Sequence, residues 1–420
     1  MRKLLLAAAT AAALAPLAAG ATTGYFAHGY GIKAKATGGV GIALPQDSLA
    51  AASNPAGMVL VGSRADLGLE WFSPDRGATI TGNGAGLNGT YDGNGTSSFL
   101  IPEFGYNRML SPTMSLGISV YGNGGMNTTY KTNPFAAFGG SGEAGVDLMQ
   151  LFIAPTMAWK IGNHAIGVSL NLAYQRFEAN GLPPAFAGFS SDPANFTNRG
   201  YDDSTGYGVR IGWIGQITPT VALGATYQSK TSMSEFDKYR GLFANQGDFD
   251  IPENYGIGVA WKATPALTIA GDIEQINYSG IPAVGNPINS LFTGAQFGST
   301  NGPGFGWQDT TVYKIGVTYD LNPTVTLRAG YVTLKQPIPA NQTFLNILAP
   351  GVVEDHLTLG ATWKMGAKGE LSLMYMHAFE KEVNGSGSIP PGAPPAGMGG
   401  GEANLRMSQN SLGIAYGWKY

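Results

Sequence analysis

Four histidines, His28, His164, His356 and His377, are the only imidazoles in the chain, and there is no cysteine. They are scattered, with no His-Glu-x-x-His pair and no thiol, so neither a zinc centre nor a thiolate nucleophile is in prospect. A hydroxyl nucleophile fares no better. Ser372 stands five residues before His377, and an odd spacing sets the two on opposite faces of a strand. Glycines cluster at Gly38-Gly39-Val40-Gly41, but no Gly-Lys-Ser/Thr follows, as a phosphate loop requires. No cofactor, no metal and no enzymatic activity are expected. What remains is charge and greasiness in unusual places. Lys314, Arg328, Arg210 and Lys160 lie on phases that are otherwise small or polar, as do Asp272, Glu274 and Glu70. Polar loops contain the apolar clusters Leu182, Phe186 and Phe189, Leu242 and Phe243, Leu291 and Phe292, and Phe344 to Leu348. Exposed apolar clusters of that kind mark capture sites for hydrophobic ligands or partner surfaces; a sugar or ion porin would instead want rings of charge. Arg328 and Lys314 are candidate counter-charges for a carboxylate, with lumenal salt bridges to Asp272, Glu274 or Glu70 as the competing use.

These groups must be positioned by strands. Ile166, Val168, Leu170, Leu172 and Tyr174 alternate with small or polar residues, as do Val221, Leu223, Ala225 and Tyr227, and Tyr313, Ile315, Val317 and Tyr319. A period of two sends one set of side chains to each face of a sheet. Many apolar phases end on an aromatic, such as Trp71, Trp159, Trp261, Tyr331 or Trp363, which matches the aromatic girdles of outer-membrane barrels. Connections also alternate in length. Brief turns such as Ser111-Pro112-Thr113 and Asn322-Pro323 are followed by extended polar segments, again as in such barrels. About fourteen strands are counted. The final one, Leu412, Ile414, Tyr416, Trp418 and Tyr420 against Gly413, Ala415, Gly417 and Lys419, ends the chain on an aromatic. The fold expected is all-β: a transmembrane antiparallel barrel over residues 63–420, set in outer-membrane lipid and lipopolysaccharide.

Composition agrees. Only 12% of residues are charged, the net charge is −3, and glycine numbers 63 of 420. There is no basic footprint for nucleic acid, and aromatics at 11% exclude disorder. Arg2 and Lys3, the apolar run Leu4 to Leu14 and the small residues Ala19-Gly20-Ala21 read as a secretory signal peptide over residues 1–21. Residues 22–62 do not alternate and are rich in small side chains. They read as a plug, since a large barrel without one is an open channel.

The run Asp47 to Met58, with Asn54-Pro55-Ala56-Gly57, resembles the N-terminal hatch of the FadL-type (OMPP1/FadL/TodX) outer-membrane transporters of fatty acids and other hydrophobic compounds. Ile101-Pro102-Glu103-Phe104-Gly105-Tyr106, Tyr227-Gln228-Ser229-Lys230 and Leu327-Arg328-Ala329-Gly330-Tyr331 are similar to that family as well. The Gly/Pro-rich loop Gly385–Gly401 has no counterpart there. The resemblance implies a monomer that takes hydrophobic cargo, fatty acid or hydrocarbon, at its outer loops and passes it inward past the hatch. It also implies lateral release at a kink in the third strand, where Met114 to Tyr121 runs into Gly122-Asn123-Gly124-Gly125. Glycines permit such an irregularity, and the same residues read equally well as the start of the second outer loop. The alternatives are a general diffusion porin and an adhesin or receptor barrel.

Overall fold

A computed structural model describes residues 22–392 and 397–420 of the chain. The expected signal peptide, residues 1–21, lies outside the described residues, as does part of the Gly/Pro-rich loop. Fourteen long strands form one antiparallel sheet that closes on itself. In chain order they are β1 Arg64–Thr81, β2 Phe99–Ser111, β3 Met114–Asn127, β4 Gly145–Ile161, β5 His164–Asn180, β6 Asp202–Gln216 and β7 Val221–Gln228. Then follow β8 Asn254–Lys262, β9 Leu267–Ile276, β10 Thr310–Asn322, β11 Val325–Leu334, β12 Asp355–Met365, β13 Gly369–Val383 and β14 Glu402–Lys419. Two short ladders, Gly89–Asp92 on β1 and Ser232–Met233 on β6, extend the wall at the loop end. Closure is made by β1 and β14, paired from Arg64↔Lys419 to Thr81↔Glu402. Closure matters because an open edge in hydrocarbon has no water to satisfy its amides.

Each even strand is reached from the preceding odd one through a long loop, and each odd strand from the preceding even one through a tight turn. Period-two burial follows from the pleat: in β5 it reads exposed and buried by turns from His164 to Leu172. Ile315, Ile257 and Leu359 are exposed on the outer face. Tyrosines at the loop end turn their hydroxyls toward the rim: Tyr227 donates to Glu253 at 3.0 Å and Tyr331 to Asp355 at 2.7 Å. Trp261, Trp363 and Trp418 are exposed near the other end. Amphipathic rings suit these two levels because one part is apolar and the other wet. Ser372 is buried on the inner phase, whereas His377 lies on the outer phase and meets Asn410.

β1 continues as far as Thr81. Of the two readings of the glycines after Tyr121, the strand holds: they belong to β3, which runs on to Asn127.

Replacing Ile315 on the lipid face by Arg is expected to destabilise the barrel by about 2–4 kcal/mol. Urea unfolding of protein refolded into phosphatidylcholine vesicles measures this, and an unchanged midpoint would remove Ile315 from the lipid face.

Candidate functional site

Residues 22–62 fold into the bore and are nearly all buried. The segment has little regular structure: one helical turn, Ile32–Ala36, and two 3-10 turns, Ala50–Ala52 and Pro55–Val59. With so few internal hydrogen bonds, its backbone must be satisfied by the wall. Glu103 of β2 accepts from the amides of Gly31 and Ile32 at 3.2 and 2.8 Å. Asp272 of β9 accepts from those of Gly41 and Ile42 at 2.8 and 3.1 Å. Thr358 of β12 accepts from Gly38 and donates to Ala36, and Asn107 of β2 donates to Met58 and Gly62.

The predicted hatch residues sit at the centre of this docking. Asn54 caps the Pro55–Val59 turn by accepting from the Ala56 amide at 3.0 Å. Its amide group donates to Ile42 at 2.8 Å and to the wall carbonyls of Trp213 and Ala225 at 3.0 and 3.3 Å. Pro55 presets the first turn, while Ala56 and Gly57 are small enough to pack beneath it. Such contact demands glycine opposite: a Cβ on Gly212 of β6 would lie 1.9 Å from Asn54 Oδ1.

Charge reinforces the docking. Lys35 lies 2.5 Å from Glu70 and 3.6 Å from Glu103, all three buried. Burial alone would depress the Lys35 ammonium, but the two carboxylates outweigh it and hold its pKa above the ordinary lysine value. Lys33 pairs with Glu370, which also pairs with Arg64, and Arg64 grips Asp66 through two nitrogens at 2.5 and 2.8 Å. His28 is pushed well below the usual imidazole range by burial, with His356 and Lys35 adding to it, and is therefore neutral. These latches escaped the sequence reading. Two lysines, Lys33 and Lys35, in a small-residue segment whose only other charged residue is Asp47, were the available signal.

The tip, residues 22–27, meets the third strand. β2 and β3 pair only from Phe104↔Val120 toward the tight turn. Beyond that point β2 is bonded to β1 alone, and β3 to β4. A window therefore opens in the wall, with residues 121–127 forming about 23 Å of strand edge at 3.3 Å per residue. Register shifts between Gly122 and Gly124, so Asn123 is an extra residue. That is a β-bulge, which bends the strand. The tip partly replaces β2 there: Ala27 donates to Asn123 at 3.1 Å, Gly125 donates to Tyr25 at 2.8 Å, and Tyr30 donates to Asn123 Oδ1 at 3.1 Å. A Cβ on Gly124 would lie 1.8 Å from the Tyr25 carbonyl oxygen. The window is closed above by backbone bonds between Thr129 and Gly93–Gly95, and by Arg76 donating to Thr96 and Asn127 at 2.5 and 2.7 Å. Outside it lies a cavity of about 550 Å³ lined by Phe99, Leu100, Asn127, Val146 and Met149.

The apolar loop residues come together, but not as exposed clusters. Leu182, Phe186 and Phe243 are buried, and Phe189 and Leu242 pack partly buried against them. Phe186 meets Phe135 and Phe344 with centroids 5.5 and 6.3 Å apart. Phe243 meets Phe177 at 4.7 Å and Phe249 at 4.9 Å. Apolar groups on neighbouring loops bury one another rather than face water. The chain of rings continues inward: Phe249 lies 6.1 Å from Tyr25, which also meets Tyr278 at 5.2 Å and Trp307 at 5.7 Å. The candidate counter-charges are separate from this path. Lys314 is paired with Glu274 at 2.8 Å. Arg328 is held by Gln46 and Thr362 at 3.0 and 2.6 Å, toward the tight-turn end. Among the expected salt-bridge partners, Glu274 and Glu70 hold lysines, whereas Asp272 serves hatch amides.

Asn54→Ala removes the cap and three other hydrogen bonds, and is expected to loosen the hatch. Single-channel conductance in planar bilayers should rise above that of the unsubstituted protein; equal conductance would show that Asn54 does not seat the plug.

The sequence profile of a family described as outer membrane protein transport protein (OMPP1/FadL/TodX) matches residues 17–389. Among solved structures, a Pseudomonas aeruginosa FadL homologue superposes with a TM-score of 0.73 at 16% identity, covering 94% of this chain and 99% of that one. The Pseudomonas putida toluene transporter TodX gives 0.68 at 19% identity, covering 95% and 100%. The Ralstonia pickettii toluene transporter TbuX gives 0.63 at 19%, covering 94% and 99%. At these identities the likeness is one of fold. No curated protein matches the chain.

Proposed function

Since this chain belongs to the OMPP1/FadL/TodX family of outer-membrane transport proteins, we propose that it passively carries hydrophobic compounds, fatty acids or hydrocarbons, from the outer loops to a lateral exit between β2 and β3. The observation that carries the reading is the window whose missing strand pairing is supplied by the chain's own tip. The barrel acts as a monomer and performs no chemistry on its cargo.

Cargo reaches the loop core formed by Leu182, Phe186, Phe189, Leu242 and Phe243. Each methylene leaving water gains about 0.8 kcal/mol, so a molecule that parts these rings trades one apolar contact for another. The aromatic path through Phe249 leads to Tyr25, whose backbone holds the β3 edge at Gly125. Displacing the tip frees Gly122, Asn123, Gly124 and Gly125 and opens the window. The hatch below, pinned by Asn54, Pro55, Ala56 and Gly57, keeps the floor shut, so cargo leaves sideways into lipid. A bore filled by buried residues 22–62 favours this over a general diffusion porin.

The tip and β3 can be tied covalently, because the chain has no cysteine to interfere. With Ala27→Cys and Asn123→Cys together, uptake of radiolabelled oleate and of toluene should be lost on oxidation and restored by dithiothreitol. Undiminished uptake by the oxidised form would overturn lateral release.

A further inference from the structure

Arg76 of β1 is fully buried, yet it makes no ion pair among the described residues. Its guanidinium is committed to neutral acceptors. Nη1 donates to the Pro74 carbonyl at 3.2 Å, and Nη2 donates to the Thr96 carbonyl at 2.5 Å and to Asn127 Oδ1 at 2.7 Å. Its Cζ lies 5.8 Å from the centre of the Phe99 ring. The backbone of the same residue is engaged as well: its amide donates to Asn94 Oδ1 at 3.0 Å, and its carbonyl accepts from Gly93 at 3.1 Å. A charge is costly to bury without a counter-charge. Arginine offsets that cost where its planar fork meets several acceptors at once, which the single point charge of a lysine cannot do.

The partners of the fork stand on both sides of the window. Thr96 and Phe99 lead into β2, one edge; Asn127 ends β3, the other. From Tyr121 to Asn127 the two edges share no ladder, so their separation is set by the joints at the two ends. Below, that joint is the pair Phe104↔Val120. Above, it is Arg76 together with the backbone bonds of Thr129 to Gly93 and Gly95 at 3.0 and 2.9 Å. Thr96, Phe99 and Asn127 all line the cavity of about 550 Å³ outside the window, which puts the fork directly behind its mouth. The same rim continues away from β2. Asn127 stands opposite Asp147 in the ladder of β3 with β4, Asp147 accepts from Tyr201 at 2.7 Å, and Arg176 of β5 lies 3.7 Å over the Tyr201 ring. Two edges anchored at both ends can only bow apart; released at the upper end, they splay.

We propose that Arg76 is a specificity-determining residue of the lateral exit, a lintel whose fork limits the girth of the cargo that passes between β2 and β3. The proposal rests on the lateral-exit reading above and adds to it a selection by cross-section rather than by charge. An alkyl chain or a single aromatic ring passes beneath the lintel; a wide, rigid polycycle does not.

The test compares uptake of radiolabelled toluene, oleate and pyrene by cells producing the full-length protein, after subtracting uptake by cells that lack it. Arg76→Met keeps a long side chain and removes every donor; Asn127→Ala removes one acceptor and leaves the guanidinium. Heat-dependent gel mobility reports folding of each. The ratio of pyrene uptake to that of the slender cargoes should rise at least about fivefold in Arg76→Met, the factor that one net hydrogen bond is worth. It should rise in the same direction in Asn127→Ala. Arg76→Lys, which keeps the charge without the fork, should resemble Arg76→Met. Should Arg76→Met fail to fold, Asn127→Ala decides alone. An unchanged ratio, or an equal fall for every cargo, overturns the lintel and leaves lateral exit standing so long as the oxidised form of the Ala27→Cys, Asn123→Cys protein still blocks uptake. Uptake indifferent to that tie overturns lateral exit and the lintel with it. An unsubstituted protein that carries neither slender cargo overturns both readings.

Discussion

An amide in hydrocarbon must find its partner within the protein, because lipid offers none. This constraint closes the sheet through β1 and β14 and makes the failure of pairing between β2 and β3 conspicuous. The wall leaves β3 short of a neighbour beyond Val120 and then repairs part of the loss with residues from the amino-terminal tip. Only a few backbone hydrogen bonds and the packing of Tyr25 and Phe26 cover that edge.

The rest of the hatch is held quite differently. Lys33, Lys35, Arg64 and their carboxylates are buried, where an isolated ion costs several kcal/mol and a well-made pair recovers much of that. Removing one partner from such a pair typically costs about 3–5 kcal/mol, so the network resists partial disruption. The division of labour follows from the bonding: ion pairs and multiply bonded Asn54 for the floor, a handful of amides and aromatic contacts for the tip. Glycines in the wall complete it by letting the hatch backbone lie against the strands, which accounts for part of the unusual glycine content.

The loop core links the two ends of this system. Phe186 and Phe243, on different loops, belong to one mass of rings that reaches inward through Phe249 to Tyr25. Packing of that kind has no charges to rearrange and few directional bonds to break.

The sequence alone determined the wall. Alternation, aromatic strand ends and the ordering of short and long connections are local properties, read a few residues at a time, and they yielded the closed barrel, its fourteen strands and the residues facing lipid. Asn54-Pro55 and the glycines after Tyr121 were also visible as irregularities in that pattern. What the alternation could not say was which inward residues meet. Lys33 and Glu370, and likewise Tyr25 and Phe249, are far apart in the chain, and they become neighbours only when the sheet closes and the segment before it folds into the bore. For the same reason the loop phenylalanines, legible as apolar clusters, were read as exposed. Their burial depends on several loops converging over one opening, which no single stretch of sequence contains. Tertiary structure decided the contacts because closure of a sheet is a property of all its strands at once.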